Sequence, residues 1–179
     1  MQNIRLHLAL AGLTAALLAM PAQGEVYLTP EKFLSESFSG SAPPPRVVWL
    51  TGALAEQAKT ALGHKAGALR LRYWAKDGRS AWILDEIGKT EAITAGIVIE
   101  DRKITQLRVL EFRESRGGEV RHPFFTDQFV GLSLREDTRL SDPVDGISGA
   151  TLSVRAVENM ARLALVLAQH VAATESPAP

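Results

Sequence analysis

Cysteine is absent from this sequence. Its absence excludes disulfides, thiolate zinc sites, cysteine-ligated iron–sulfur clusters and covalent c-type haem. A net charge of either sign is also absent, since 20 Lys and Arg stand against 20 Asp and Glu. Proteins that bind polyanions draw affinity from clustered basic residues that release counterions, so the balance argues against nucleic acid as a partner. No apolar run reaches the ~20 residues needed to cross a bilayer. What is present is an ordinary globular composition: 46% of the 179 residues are hydrophobic and 22% are charged. That is enough chain for one domain with a proper core, and too apolar for disorder to be the main state.

The first 24 residues read as a targeting segment. Arg5 gives a weakly positive start, and an apolar run from Leu8 to Met20 follows, interrupted by Thr14. It ends in Met20-Pro21-Ala22-Gln23-Gly24, with small residues where a signal peptidase cuts. The expectation is a cleavable signal, a new N-terminus at Glu25 and a periplasmic product. An uncleaved anchor is the alternative. Without cysteine in an oxidising compartment, stability would rest on core packing.

The remainder reads as one α+β domain: a small antiparallel sheet of two hairpins packed by helices, with a long C-terminal helix. Residues 25–45 form an N-terminal helix and a Pro-rich connector, 46–173 the main domain, and 174–179 a disordered tail. Thr29-Pro30 opens a helix to about Phe38, with Thr29 as cap and Pro30 at the first helical position. Val47–Leu50 is a short extended piece. Thr51 caps a second helix that Gly63 ends. Leu69, Leu71, Tyr73 and Ala75 alternate with Arg70, Arg72 and Trp74, a half-buried strand pattern. Asp77-Gly78 turns it into Ser80–Leu84. Ala92–Ile99 and Ile104–Phe112 form a second hairpin. His122–Gly131 suggests a short helix, and Leu132–Asp145 a loop. In the last helix, Leu152, Ala156, Met160, Leu163, Ala164, Leu167 and Val171 share one face.

The start of that helix carries the chemistry. Asp145-Gly146-Ile147-Ser148-Gly149-Ala150-Thr151-Leu152-Ser153 is a loop of small residues entering a helix beside a hydroxyl. The first N–H groups of a helix have no internal partner, and its dipole is positive there, so an anion such as phosphate is stabilised. The plainer alternative is that Asp145, Ser148, Thr151 and Ser153 are turn and capping residues. These residues by themselves indicate an anion site and no particular ligand.

The segment Ser148-Gly149-Ala150-Thr151, preceded by Asp145 and followed by Leu152-Ser153, resembles the flavinylation motif of the FMN-binding domain family. That family includes the FMN-carrying subunits of the sodium-pumping NADH:quinone oxidoreductase and of the Rnf complex. Asp85–Lys89 with the hairpin Ile93–Phe112, then Glu114-Ser115-Arg116-Gly117, is similar to the family's approach to its flavin-facing loop. Phe125–Gly131 also resembles a family segment, and Val47–Gly63 is similar to short secreted members. The loop departs from the family's usual Glu-Thr-x-Gly by placing Ser115 where threonine stands, which keeps the hydroxyl. The large complex subunits also carry a membrane anchor that has no counterpart in this chain.

The resemblance implies FMN joined by a phosphoester to Thr151, made by a flavin transferase that uses FAD and a divalent metal. It implies supporting roles for Ser148, Gly149, Ala150, Asp145 and Ser153 around the phosphate, and for Glu114, Ser115 and Gly117 near the ring. No catalytic residue and no metal site are expected, since His64, His122 and His170 show no ligand spacing. Trp49, Trp74 and Trp82 are candidate ring stackers, with packing the commoner fate of tryptophan. Arg70, Arg72, Lys76 and Arg79 read as a solvated sheet face rather than a basic patch. The implied function is an electron carrier that works with a membrane-bound redox protein. A flavin-dependent reductase of a small substrate and a non-covalent anion-binding module are the alternatives.

Overall fold

The computed structural model describes residues 24–175. The signal segment, apart from its last residue, and positions 176–179 of the tail lie outside the described residues.

Six strands form one antiparallel sheet: β1 (Glu25–Val26), β2 (Arg46–Trp49), β3 (Arg70–Lys76), β4 (Arg79–Ile87), β5 (Ala92–Glu100) and β6 (Lys103–Phe112). Their order is β1-β6-β5-β4-β3-β2. The two expected hairpins are β3–β4 and β5–β6. They are fused through β4–β5 pairing from Arg79↔Glu100 to Ile87↔Ala92, and widened by the edge strands β1 and β2. The sheet is therefore larger than the two hairpins expected. Asp77 and Gly78 both take positive φ, 52° and 79°, as the tight β3–β4 turn requires.

Four helices complete the described fold: α1 (Pro30–Ser37), α2 (Gly52–Leu62), α3 (Pro123–Thr126) and α4 (Thr151–Glu175). Thr29 caps α1 by accepting the Lys32 N–H at 3.3 Å, with Pro30 in the first turn. Thr51 holds the corresponding position of α2 without a side-chain bond. Gly63 ends α2 with φ 80°, and its N–H donates to the Lys59 carbonyl at 2.8 Å.

The helices cover both faces of the sheet. On one face α2 and α4 pack over Val48, Tyr73, Trp82, Ile97 and Leu107. Asn159 of α4 donates to the Leu62 carbonyl at 2.8 Å and ties these two helices together. On the other face Phe33, Leu34 and Phe38 lie over Ala81, Val98 and Leu110. Gly96 makes this possible, because a Cβ there would stand 2.7 Å from the Phe33 ring.

In β6 the register slips: Thr94 pairs with Glu111 but Ala95 with Val109, leaving Leu110 as a bulge. The Leu110 carbonyl accepts the N–H groups of Tyr27 and Leu28 at 2.9 and 3.2 Å. The bulge thereby fixes the segment after β1 against the sheet edge.

Two expectations are corrected. His122–Gly131 is not one helix; it is α3 followed by a 3₁₀ turn at Asp127–Phe129. The tail does not begin at Thr174, because α4 runs to Glu175. The Glu175 carboxylate accepts from Arg46 at 2.6 Å and from the Tyr73 hydroxyl, which holds the helix end on the sheet.

Candidate functional site

Helix α4 begins at Thr151, and its first bond runs from the Val154 N–H to the Ala150 carbonyl at 2.9 Å. The capping position therefore belongs to Ala150, and Thr151 is the first helical residue. Alanine has no side-chain acceptor and is among the poor N-caps, by about 1 kcal/mol relative to Ser, Thr, Asp or Asn. The N–H groups of Thr151, Leu152 and Ser153 make no hydrogen bond among the described residues. The longest helix of the fold thus ends in unused donors, with the Thr151 side chain exposed beside them. This removes the plainer role for Thr151, since its hydroxyl is not the helix cap.

The approach to the helix is shaped by Gly149, whose φ of 82° is a conformation that L side chains rarely adopt. The space over its α-carbon is open, so the backbone conformation, not crowding, requires glycine there. Ala150 and Ser153 are buried, and Ser148 and Asp145 are exposed. The Asp145 carboxylate makes no hydrogen bond among the described residues. Its backbone N–H donates to Gln128 Oε1 at 2.7 Å, and Gln128 Nε2 donates to the Phe124 carbonyl at 3.2 Å. Gln128 is therefore the strut that holds the loop before the motif.

The loop Glu114–Gly117 reaches the same place from β6. Gly117 has φ 86°, and a Cβ on it would lie 2.5 Å from Ser153 Oγ and 3.4 Å from the Ala150 Cβ. The two predicted segments, distant in sequence, are thus in direct contact. Glu114 anchors the other end of the loop. Its Oε1 accepts the N–H groups of Lys89, of Thr90 at 2.6 Å and of Glu91 at 2.9 Å, and Oε2 accepts the Thr90 hydroxyl at 3.3 Å. Partial burial works to raise the Glu114 carboxyl, but the N–H groups of Glu91, Thr90 and Lys89 outweigh it and hold it below its ordinary value. Glu114 is occupied by the β4–β5 turn, which leaves Ser115 as the exposed hydroxyl of the loop.

Between these pieces lies an open cleft of about 570 Å³. Ser115, Gly117, Ser148 and Gly149 line it from the predicted set, and Glu114 borders it. Arg116 of the same loop lines it as well, as do Tyr27 and Arg121, which no local sequence pattern marks. Gln128 lies inside the segment Phe125–Gly131, where no local pattern marks it as a strut.

The remaining candidates fall elsewhere. Trp82 is fully buried, stacked on Tyr73 at 4.9 Å between ring centroids, with Nε1 donating to Ser80 Oγ at 3.0 Å. Trp74 packs against the α1 cluster, and exposed Trp49 lies near Arg70. None of the three lines the cleft. His64 pairs with Glu86 at 2.6 Å, and His122 lines the cleft and stacks on Phe124. Arg70, Arg72 and Lys76 are exposed. Arg79 departs from that solvated face: it is half-buried and bonded to Glu100 and to the Ser37 carbonyl.

These features define an α+β domain whose longest helix offers free N–H groups to an anion, beside a polar cleft. Residues 88–166 match the family model described as the FMN-binding domain, and this match supports a flavin-binding domain in the chain. The matched stretch runs from the β4–β5 turn into α4 and contains every predicted site residue. None of the curated proteins compared matches the chain. The residues present fit FMN. The helix end and Gly149 suit its phosphate, while Ser115 and the guanidinium groups of Arg116 and Arg121 offer donors to a heterocycle rich in carbonyl and ring-nitrogen acceptors. Among the described residues no helix is long and apolar enough to cross a membrane.

Proposed function

We propose that this flavin-binding domain carries FMN covalently, as a phosphoester on Thr151, and relays electrons in the periplasm between a membrane-bound redox protein and a second acceptor. The observation that carries this is the exposed Thr151 hydroxyl at the first position of a helix whose opening N–H groups are free. A phosphodiester keeps one negative charge, and that charge meets the positive end of α4. FMN supplies one- and two-electron chemistry; the chain supplies attachment, orientation and electrostatic surroundings.

The cleft favours a carrier over an enzyme of a small substrate. It is open, and its walls are backbone, hydroxyls and charged groups rather than the enclosed apolar lining of a substrate pocket. Covalent attachment suits an exported protein, which could not readily replace lost FMN. Maturation would need a flavin transferase, and the exposed Asp145 beside the motif is suited to assist it with its metal.

The test is the intact mass of the exported protein, co-produced with a flavin transferase and measured under denaturing conditions. A gain of one FMN less one water, mapped to the peptide containing Thr151 and lost in Thr151→Ala, supports the proposal. An unmodified mass, in a host that flavinylates a control protein, overturns it and leaves a non-covalent anion-binding module.

A further inference from the structure

The cleft has a second wall that no motif residue supplies. Tyr27 follows β1, and Arg121 ends the 3₁₀ turn Gly118–Arg121. The Arg121 guanidinium carbon lies 4.7 Å from the centroid of the Tyr27 ring. Its Nη1 donates to the Tyr27 hydroxyl at 3.1 Å and to the Gly118 carbonyl at 3.5 Å. The Tyr27 hydroxyl in turn donates to Glu25 Oε2 at 2.8 Å. This arrangement uses one nitrogen of the fork. Nε and Nη2 have no acceptor among the described residues, and no carboxylate there lies within ion-pair distance of Arg121.

Among the described residues no acid around the cleft pairs with it directly. Glu25 is engaged by Tyr27, Glu114 by the β4–β5 turn, and Glu119 is exposed. Arg116 also lines the cleft, but it is exposed on its loop, whereas Arg121 is half-buried. A charge that is partly desolvated and held in place acts more strongly on its surroundings than a mobile surface charge, which water and salt screen. Arginine also stays protonated at any working pH.

We infer that Arg121 is a positioning and tuning residue for the flavin, holding the negative charge that reduction places on the ring and so raising its midpoint potential. The inference rests on FMN being attached at Thr151. Two electrons and one proton added to the oxidised ring leave one extra negative charge on it. A fixed cation in the same cleft favours that form, and it draws the equilibrium toward reduction.

The experiment is a reductive titration with dithionite, which supplies the electrons and is oxidised to sulfite, against a dye of known potential. It uses the exported, flavinylated parent, R121Q, R121M, R121K and, as a control, R72Q at an exposed arginine of β3 that does not line the cleft, each first checked for the FMN mass. R121M retains an apolar stem against Tyr27 and serves as a second neutral variant should R121Q fail to fold. The expected result is a tenfold or larger loss in the two-electron equilibrium constant for R121Q and R121M, which is about 30 mV more negative. R121K should recover most of it, and R72Q should stay near the parent. Loaded, folded neutral variants with the parent's potential would overturn the role of Arg121 alone. An unmodified parent would overturn attachment at Thr151 and the role of Arg121 with it.

Discussion

Gly117 stands against Ser153 so closely that a single added carbon would lie 2.5 Å from the serine hydroxyl. This contact joins the loop after β6 to the first turn of α4, and Gly117 also holds φ at 86°. Gly117→Ala therefore meets two penalties, a left-handed backbone and overpacking against a buried side chain. Together these should cost about 2 kcal/mol or more, read as a fall in the urea midpoint of the unloaded protein. Flavin loading should fall with it, because the loop and Thr151 no longer share one frame. Unchanged stability would show that the loop and helix are not in contact in solution.

Thr151→Ala should behave in the opposite way. The side chain is exposed, it is not the helix cap, and it makes no hydrogen bond among the described residues. In protein made without a transferase, the substitution should change stability by less than about 0.5 kcal/mol. A true capping threonine would cost about 1 kcal/mol on the same change. Chemical denaturation of the two unloaded proteins separates the cases, and a loss of that larger size would return Thr151 to a structural role.

Much of this arrangement was legible from local pattern. Thr29-Pro30, Gly63 and Asp77-Gly78 each signal an end or turn through their own backbone preferences, and all three stand where expected. The alternation from Leu69 to Ala75 found the strand because one face of it is buried. What pattern missed depends on contacts between distant segments. A two-residue strand such as β1 has no period to detect, and it is placed by the Leu110 bulge of β6. Gly96 reads as a weak strand residue until Phe33 is seen lying on it. At the site, the motif and the loop were both visible in the sequence. Tyr27 and Arg121 were not, since nothing local marks a side chain that becomes a wall only when the sheet edge meets a turn 94 residues further on.

Glu114 gives a pH-dependent reading of the loop. Its carboxyl is held below the ordinary value of 4.5 in the fold. A depressed carboxyl contributes stability that is present above that ordinary value and is lost as pH falls through the folded one. In the folded protein the amide protons of Lys89, Thr90 and Glu91 should therefore shift together below about pH 4.5 in an NMR titration, as their shared acceptor takes a proton. Glu114→Gln, which cannot ionise, should abolish that common transition. Independent titration of the three amides, or its persistence in the variant, would dissociate Glu114 from the turn.

His64 and Glu86 carry the opposite sign. His64 follows the end of α2, and its Nε2 meets the nearly buried Glu86 carboxylate of β4 at 2.6 Å. The bond to Glu86, helped by the Lys65 carbonyl, raises the imidazole above its ordinary 6.5. A raised histidine contributes stability that is complete below its unfolded value and disappears as pH rises through the folded one. Urea midpoints of the parent should accordingly decline from about pH 6.5 upward, flattening once His64 is neutral. His64→Gln removes the titrating group while leaving a polar side chain, so its profile over that window should be flatter, with the parent's advantage greatest on the acid side. The imidazole is more than half exposed, so added salt should narrow the gap between the two proteins. Parallel profiles at low salt would mean that the link between α2 and the sheet does not depend on charge at His64.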